Sequence, residues 1–202
     1  MPTNDCIVLI QRIKQCDIED IRNPSRMLRF HPITENSTIF DQVYGILDEN
    51  FMRKPYKFRI FVFLDTILSS TKIPAYIIAA YIKKLSRLSL VGKPRSLVAI
   101  LRLVNNLFMR HPFLIFLRNR VDDKAREFEL VSNTCTFRQW LNNDPFDAQQ
   151  IEDLRLTNAM DSYVWELMPL RFHEHKKVSE AASFLSEDDL PELECDLTNL
   201  VR

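Results

Sequence analysis

Glycine is the first scarcity: the 202-residue chain holds two, Gly45 and Gly92, where average usage would give about fourteen. Hairpins that need positive φ, and glycine-rich loops that cradle phosphates, are disfavoured accordingly. Cysteine is sparse as well. Cys6, Cys16, Cys135 and Cys195 stand far apart with no two-residue spacing among them, which suggests neither a zinc ribbon nor a disulfide framework and points to a reducing compartment. The best apolar run, Ile73 to Ile82, is cut at Lys83, well short of the ~20 residues that a bilayer span requires. No basic-then-apolar secretory pattern opens the chain. No membrane span is predicted, and the chain reads as soluble.

Net charge is also absent, with 27 lysines and arginines against 27 aspartates and glutamates. The zero conceals a division at Arg126. Up to that residue there are 21 basic side chains and 11 acidic ones, an excess of ten positive charges; beyond it there are 6 and 16, an excess of ten negative ones. Two readings follow. The basic half faces an anionic partner such as RNA, or the halves attract each other within one fold.

What the chain does have is helical periodicity. A loose pattern covers Asp5 to Ile21, with Asn4 as its cap, and Arg22 to Ser37 reads as a linker. Ser37 then caps a helix to about Asp48, with Phe40, Val43, Tyr44 and Leu47 on its buried face. Pro55 opens a further helix that runs to Ser69, and Pro74 another that Gly92 ends in a left-handed conformation. Ala75, Ile78, Ala79, Ile82 and Leu85 line one side of this second helix, and Lys83, Lys84 and Arg87 gather on the other. Because Pro94 starts the next helix two residues after Gly92, the pair must fold back antiparallel. Its stripe of Leu97, Ile100, Leu101, Val104, Leu107 and Phe108, widened by Val98 and Leu103, is too broad for one neighbour, so this helix should be sandwiched.

Four segments result: an N-terminal helix and linker (1–37), a basic helical half (38–120), a loop (121–143), and an acidic helical half with tail (144–202). Within the last, helices are expected over Ala148 to Leu156, from Asn158 with Met160, Val164, Trp165 and Leu167 buried and a break at Pro169, and over Lys177 to Leu185. Helix pairs on short turns give an all-α fold, read as a HEAT-like solenoid of antiparallel pairs, with a plain bundle as the alternative. Stacked pairs need polar end caps, and the short first helix leaves an open apolar end or calls for further chain before it.

Chemistry is thinly represented. His173 and His175 would share a face in a strand but diverge by about 200° on a helix, so a solvated helix end stands against a metal site. His111 reads as a helix C-cap, Asp144 and Asp147 as capping groups, and Trp165 as a core anchor. Lys83, Lys84, Arg87, Lys93 and Arg95 form the densest basic patch, either RNA-facing or merely solvated, without the interleaved aromatics of a single-strand reader. No enzyme chemistry and no cofactor are indicated.

In order along the chain, STKIPAYIIAAYIKKLSRLSL, NNLFMRHP, DPFD, SYVWEL and HEHKKVSEAASF resemble the CCAAT-binding-factor domain family of ribosome-assembly factors. The resemblance covers roughly Phe40 to Phe184 and singles out Pro74, Tyr76, Ala79, Ala80, Leu85, Asn106, His111, Pro112, Asp144, Pro145 and Trp165 as structural or partner-contacting positions. It implies a HEAT-like fold, nuclear and nucleolar residence, and a scaffold role in small-subunit assembly and rRNA processing. It further implies a heterodimer with nucleolar protein 14 among other small-subunit processome proteins, close to pre-ribosomal RNA. The alternative from another class is a direct RNA-binding module built on the basic patch. Members carry a long helical N-terminal region that is nearly absent here, and this chain has Arg102 and Pro169 where the family pattern differs.

Overall fold

The computed structural model describes residues 4–23, 27, 38–118, 144–186 and 194–201. Most of the expected linker and the whole of the expected loop 121–143 lie outside the described residues, as does Ser37. Among those described, all regular elements are helical and there is no strand. The α-helices are α1 (Asn4–Gln15), α2 (Ile18–Ile21), α3 (Thr38–Gly45), α4 (Lys57–Ile67), α5 (Ala75–Ser89), α6 (Pro94–Arg110) and α7 (Lys176–Ala181).

The apolar stripes decide the packing. α6 is in contact with α4, α5 and α7, and Leu97 through Leu101, Leu103, Val104, Leu107 and Phe108 are all buried. The expected sandwiching is therefore found, and truncating a leucine such as Leu101 or Leu107 to alanine would cost about 2–5 kcal/mol. α5 folds back on α6 across a four-residue turn, Leu90 to Lys93. Ala79 and Ala80 have no exposed surface, so neighbouring elements come close to the α5 backbone. Tyr81 donates to the Phe40 carbonyl at 2.7 Å and meets Tyr44 edge-on, which joins α3 to α5.

Gly92 is needed for another reason than the one its position suggests. It has no positive φ; a Cβ there would lie 2.7 Å from Leu97 Cδ2, so the glycine admits the first buried leucine of α6 against the turn. The N-terminal pattern also divides. Asp17 is extended (φ −70°, ψ 159°) and separates α1 from α2, while Arg59 of α4 donates to the Cys16 carbonyl at the break.

The acidic half departs furthest from expectation. Ala148 to Asp153 is not helical, and Asn158 to Phe172 forms 3-10 turns at Ala159–Asp161 and Trp165–Phe172 instead of an α-helix. Asn158 takes a left-handed φ of 54° and Ser162 is extended. Their neighbours bond outside any helical ladder: Val164 N–H donates to the Leu117 carbonyl at 2.9 Å, and Asp147 N–H to that of Thr157 at 2.9 Å. Pro169, which has no N–H to give, sits within the 3-10 run. α7 and the 3-10 turn Ser183–Leu185 occupy the place of the last expected helix. One hydrophobic cluster takes in residues from both halves, from Leu9 to Leu197.

Candidate functional site

α5 carries Lys83 and Arg87 one helical turn apart. Lys83 was expected on a basic solvated face, yet it has 0% exposure. Its ammonium donates to Asp144 Oδ2 at 2.7 Å, to the Tyr163 carbonyl at 2.8 Å and to Glu166 Oε1 at 2.6 Å, which uses all three of its protons. Arg87 Nη2 reaches the same Asp144 oxygen at 2.7 Å. Its Nε lies 2.8 Å from Glu166 Oε1 as an ion-pair contact without an aligned hydrogen bond. The guanidinium also rests over the Trp165 ring, 4.9 Å from its centroid.

Asp144 is the hub of this charge lock. Besides the two cations it accepts from Trp165 Nε1 at 2.8 Å, from Ser162 Oγ and from the Phe146 N–H. Burial works to raise its carboxyl, but Lys83 and the hydrogen bonds from Lys83, Ser162 and Trp165 hold it below the ordinary carboxylate range. Glu166 goes the other way: burial outweighs Lys83 and Arg87 and raises it, and its Oε2 has no hydrogen-bond partner. Two cations face two carboxylates, so the lock is neutral as a whole. Removing one member of such a buried set leaves an uncompensated charge at a cost of about 3–5 kcal/mol.

The capping role expected of the two aspartates is not realised, since no helix begins at Ala148; Asp147 Oδ1 instead accepts from the Gln149 N–H within a turn. Asp144 accepts in the same way from the Phe146 N–H and does far more. Trp165 is buried as expected, but its indole N–H is a lock donor. The RNA-facing reading is corrected for Lys83, which is enclosed, and for Arg87, which is committed to carboxylates. Lys84, half-buried, donates to the Ala148 carbonyl at 2.6 Å, and burial lowers its ammonium. Of the five patch residues Lys93 and Arg95 are exposed, and Arg95 donates to the Leu200 carbonyl.

A second polar cluster, unforeseen in the sequence, lies between α4 and α6. Asn106, fully buried, donates from Nδ2 to Asp65 Oδ1 at 3.0 Å and to the Cys195 carbonyl at 2.9 Å, and accepts the Cys195 N–H at 2.7 Å. Arg110 bridges Asp65 Oδ1 at 2.8 Å and Glu194 Oε2 at 2.5 Å. The hydrogen bond from Arg110 holds Glu194 below its ordinary value. This clasp fastens the segment 194–201, whose Leu197 is buried. The acidic tail is thus docked at its end. The clue was the polar pair Asn105 and Asn106 inside the most apolar stripe of the chain.

The remaining marked positions differ in burial. Pro74 caps α5, Tyr76 is half-buried, Leu85 has no exposure, and Pro112 opens a 3-10 turn. Pro145 is exposed. His111 ends α6 as expected and turns its ring inward, with Nε2 2.7 Å from the Leu68 carbonyl. His173 and His175 flank a bend ahead of α7, where His173 Nδ1 accepts the His175 N–H. Among the described residues no group of three or more histidines, cysteines and carboxylates is arranged to hold a metal ion, and no single helix is long and apolar enough to cross a membrane.

The chain is 34% identical over 167 residues to the nucleolar complex protein 4 homolog of Gallus gallus, covering 83% of this chain and 30% of that protein. It is 31% identical over 163 residues to nucleolar complex protein 4 of Saccharomyces cerevisiae, covering 80% and 29%. For the Homo sapiens homolog the figures are 33% over 153 residues, 76% and 27%. The aligned stretch is less than a third of the length of these relatives. The CBF/Mak21 family model matches residues 7–182, a stretch holding the whole charge lock together with Asp65, Asn106 and Arg110 of the clasp, and the chain accordingly belongs to the CBF/Mak21 family.

Proposed function

We propose that the chain is a non-catalytic helical scaffold in nucleolar ribosome biogenesis, acting in assembly of the small subunit and in processing of its rRNA. Its helix pairs form one portion of a HEAT-like repeat array. In this reading it works within the small-subunit processome as a heterodimer with nucleolar protein 14, close to pre-ribosomal RNA. The names of the relatives support the nucleolar setting.

One observation carries the scaffold role. The α5 motif, DPFD and SYVWEL converge on an interior where every charged group is engaged with another part of the chain. The most polar residues of these segments therefore hold helices in place and are not presented to a substrate. The rival reading, RNA binding by the basic patch, has little support, since Lys83 is enclosed and Arg87 is ion-paired.

Affinity purification of the tagged chain from cells tests the proposal, together with depletion. The expected result is recovery of small-subunit assembly factors, nucleolar protein 14 among them, and accumulation of unprocessed small-subunit rRNA precursors. Recovery without such factors, with normal rRNA processing after depletion, would contradict it.

A further inference from the structure

The clasp reads main chain as well as side chains. Asn106 offers one acceptor and one donor to the N–H and C=O of a single residue, Cys195, at 2.7 and 2.9 Å. This pairing grips the main chain of a peptide whatever its side chain at that position. Specificity comes from the flanks. Arg110 takes the carboxylate of the preceding residue, Glu194, and an apolar socket takes Leu197 two residues further on.

The resident segment fits this groove imperfectly. Asn105, on the same helix, directs its amide nitrogen at two sulfurs, Met109 Sδ at 3.7 Å and Cys195 Sγ at 3.9 Å. Its Oδ1, buried, has no hydrogen-bond partner. A cleft of about 140 Å³ remains beside the segment, against Arg22, Val62, Asp65 and Arg110. Both features leave room for an occupant with a polar side chain where Cys195 now stands.

We propose that the groove between α4 and α6 is a binding site for an acidic peptide of the form Glu-x-x-Leu from a partner protein, and that the chain's own segment Glu194 to Leu197 is its displaceable resident. The proposal does not depend on the nucleolar role. The resident segment competes both through its contacts with Asn106 and Arg110 and because it belongs to the same chain, which gives it an effective concentration of order millimolar.

The test is fluorescence anisotropy with a dye-labelled peptide ECDLTNLV, under reducing conditions, against the full 202-residue chain. Leu197→Ala in the protein loosens the resident segment and should tighten peptide binding roughly ten- to a hundredfold over wild type, as loss of one buried leucine contact implies. Adding Asn106→Ala should abolish that gain. On the peptide, glutamate to glutamine should weaken binding about two- to fivefold, since the ion pair it removes is half-exposed, and leucine to alanine should weaken it at least tenfold. A serine in place of the peptide cysteine should bind more tightly than the parent by meeting Asn105. Equal binding by wild type and Leu197→Ala, no binding to either, or indifference to both peptide substitutions would overturn the proposal; the peptide changes leave the protein's folding untouched. Tail exchange between two copies without uptake of peptide, seen by sedimentation, would also overturn it.

Discussion

The charge lock and the tail clasp use the same chemistry, basic side chains of the first half against carboxylates of the second, in different surroundings. In the lock, the side chains of Lys83, Asp144 and Glu166 are 0% exposed, and α5 is tied to DPFD and SYVWEL. In the clasp, Glu194 keeps 49% of its side-chain surface, and half of the grip is backbone hydrogen bonding to Asn106. A buried cluster of opposed charges is costly to disturb from one side. A wet ion pair contributes about 0–1 kcal/mol and can be exchanged. Burial thus separates a joint that fixes the fold from one suited to release.

The sharpest way to break this contrast is Lys83→Met. It leaves two buried carboxylates without their ammonium and should lower stability by about 3–5 kcal/mol in urea unfolding. Trp165→Phe keeps an aromatic face but removes the indole donor to Asp144 and part of the ring volume, for an expected loss of at least about 1.5–3 kcal/mol in the same assay, the range for a hydrogen bond to a charged group. Asn106→Ala tests the other joint. Hydrogen exchange should speed up at residues 194–201 while α5 and α6 stay protected, with a global cost of about 1–2 kcal/mol.

Acid provides the mildest contrast. Arg110 holds Glu194 below its ordinary value of 4.5, so its contribution is complete above pH 4.5 and is lost as the pH falls through the lowered folded value. Protection factors at the tail, corrected for the slower intrinsic exchange in acid, should therefore fall on acidification, and Glu194→Gln should weaken that response. The lock answers acid less simply. Asp144, lowered, gives up its contribution as the pH falls below 3.8, whereas Glu166, raised, favours the fold below its ordinary 4.5 and loses that advantage as the pH climbs through its folded value.

The helices of the first half were legible because their stripes are pure: Phe40, Val43, Tyr44 and Leu47, or Leu97 to Phe108, are buried as their spacing predicts. Lys83 was misread because a lysine is ordinarily solvated. The contrary signal was present in the sequence, where Ile77, Ile78, Ala79, Ala80, Tyr81, Ile82 and Leu85 surround Lys83 with apolar positions, and the structure buries all of them. A helix apolar on all sides with a lysine at its centre demands a buried partner. Residues 158 to 167 have helical spacing, and what overrode it is the left-handed Asn158 and extended Ser162, which bring Ser162, Trp165 and Glu166 to Asp144 and Lys83. Propensity yielded to charge pairing.

The division of charge at Arg126 has the same explanation. Lys83, Lys84, Arg87, Arg95, Arg110 and Arg118 all donate across it to the acidic half. Of the two readings open in the sequence, attraction between the halves within one fold is realised in Lys83, Arg87 and Arg110, which meet carboxylates, while Lys84, Arg95 and Arg118 meet backbone carbonyls.

A double-mutant cycle between Lys83→Met and Asp144→Asn, measured by urea unfolding, tests most directly whether the two halves are bound together by their charges. The account predicts strong non-additivity, a coupling of about 2 kcal/mol or more, because each single change strands a partner that the other change removes. Losses that add to within about 0.5 kcal/mol would contradict it.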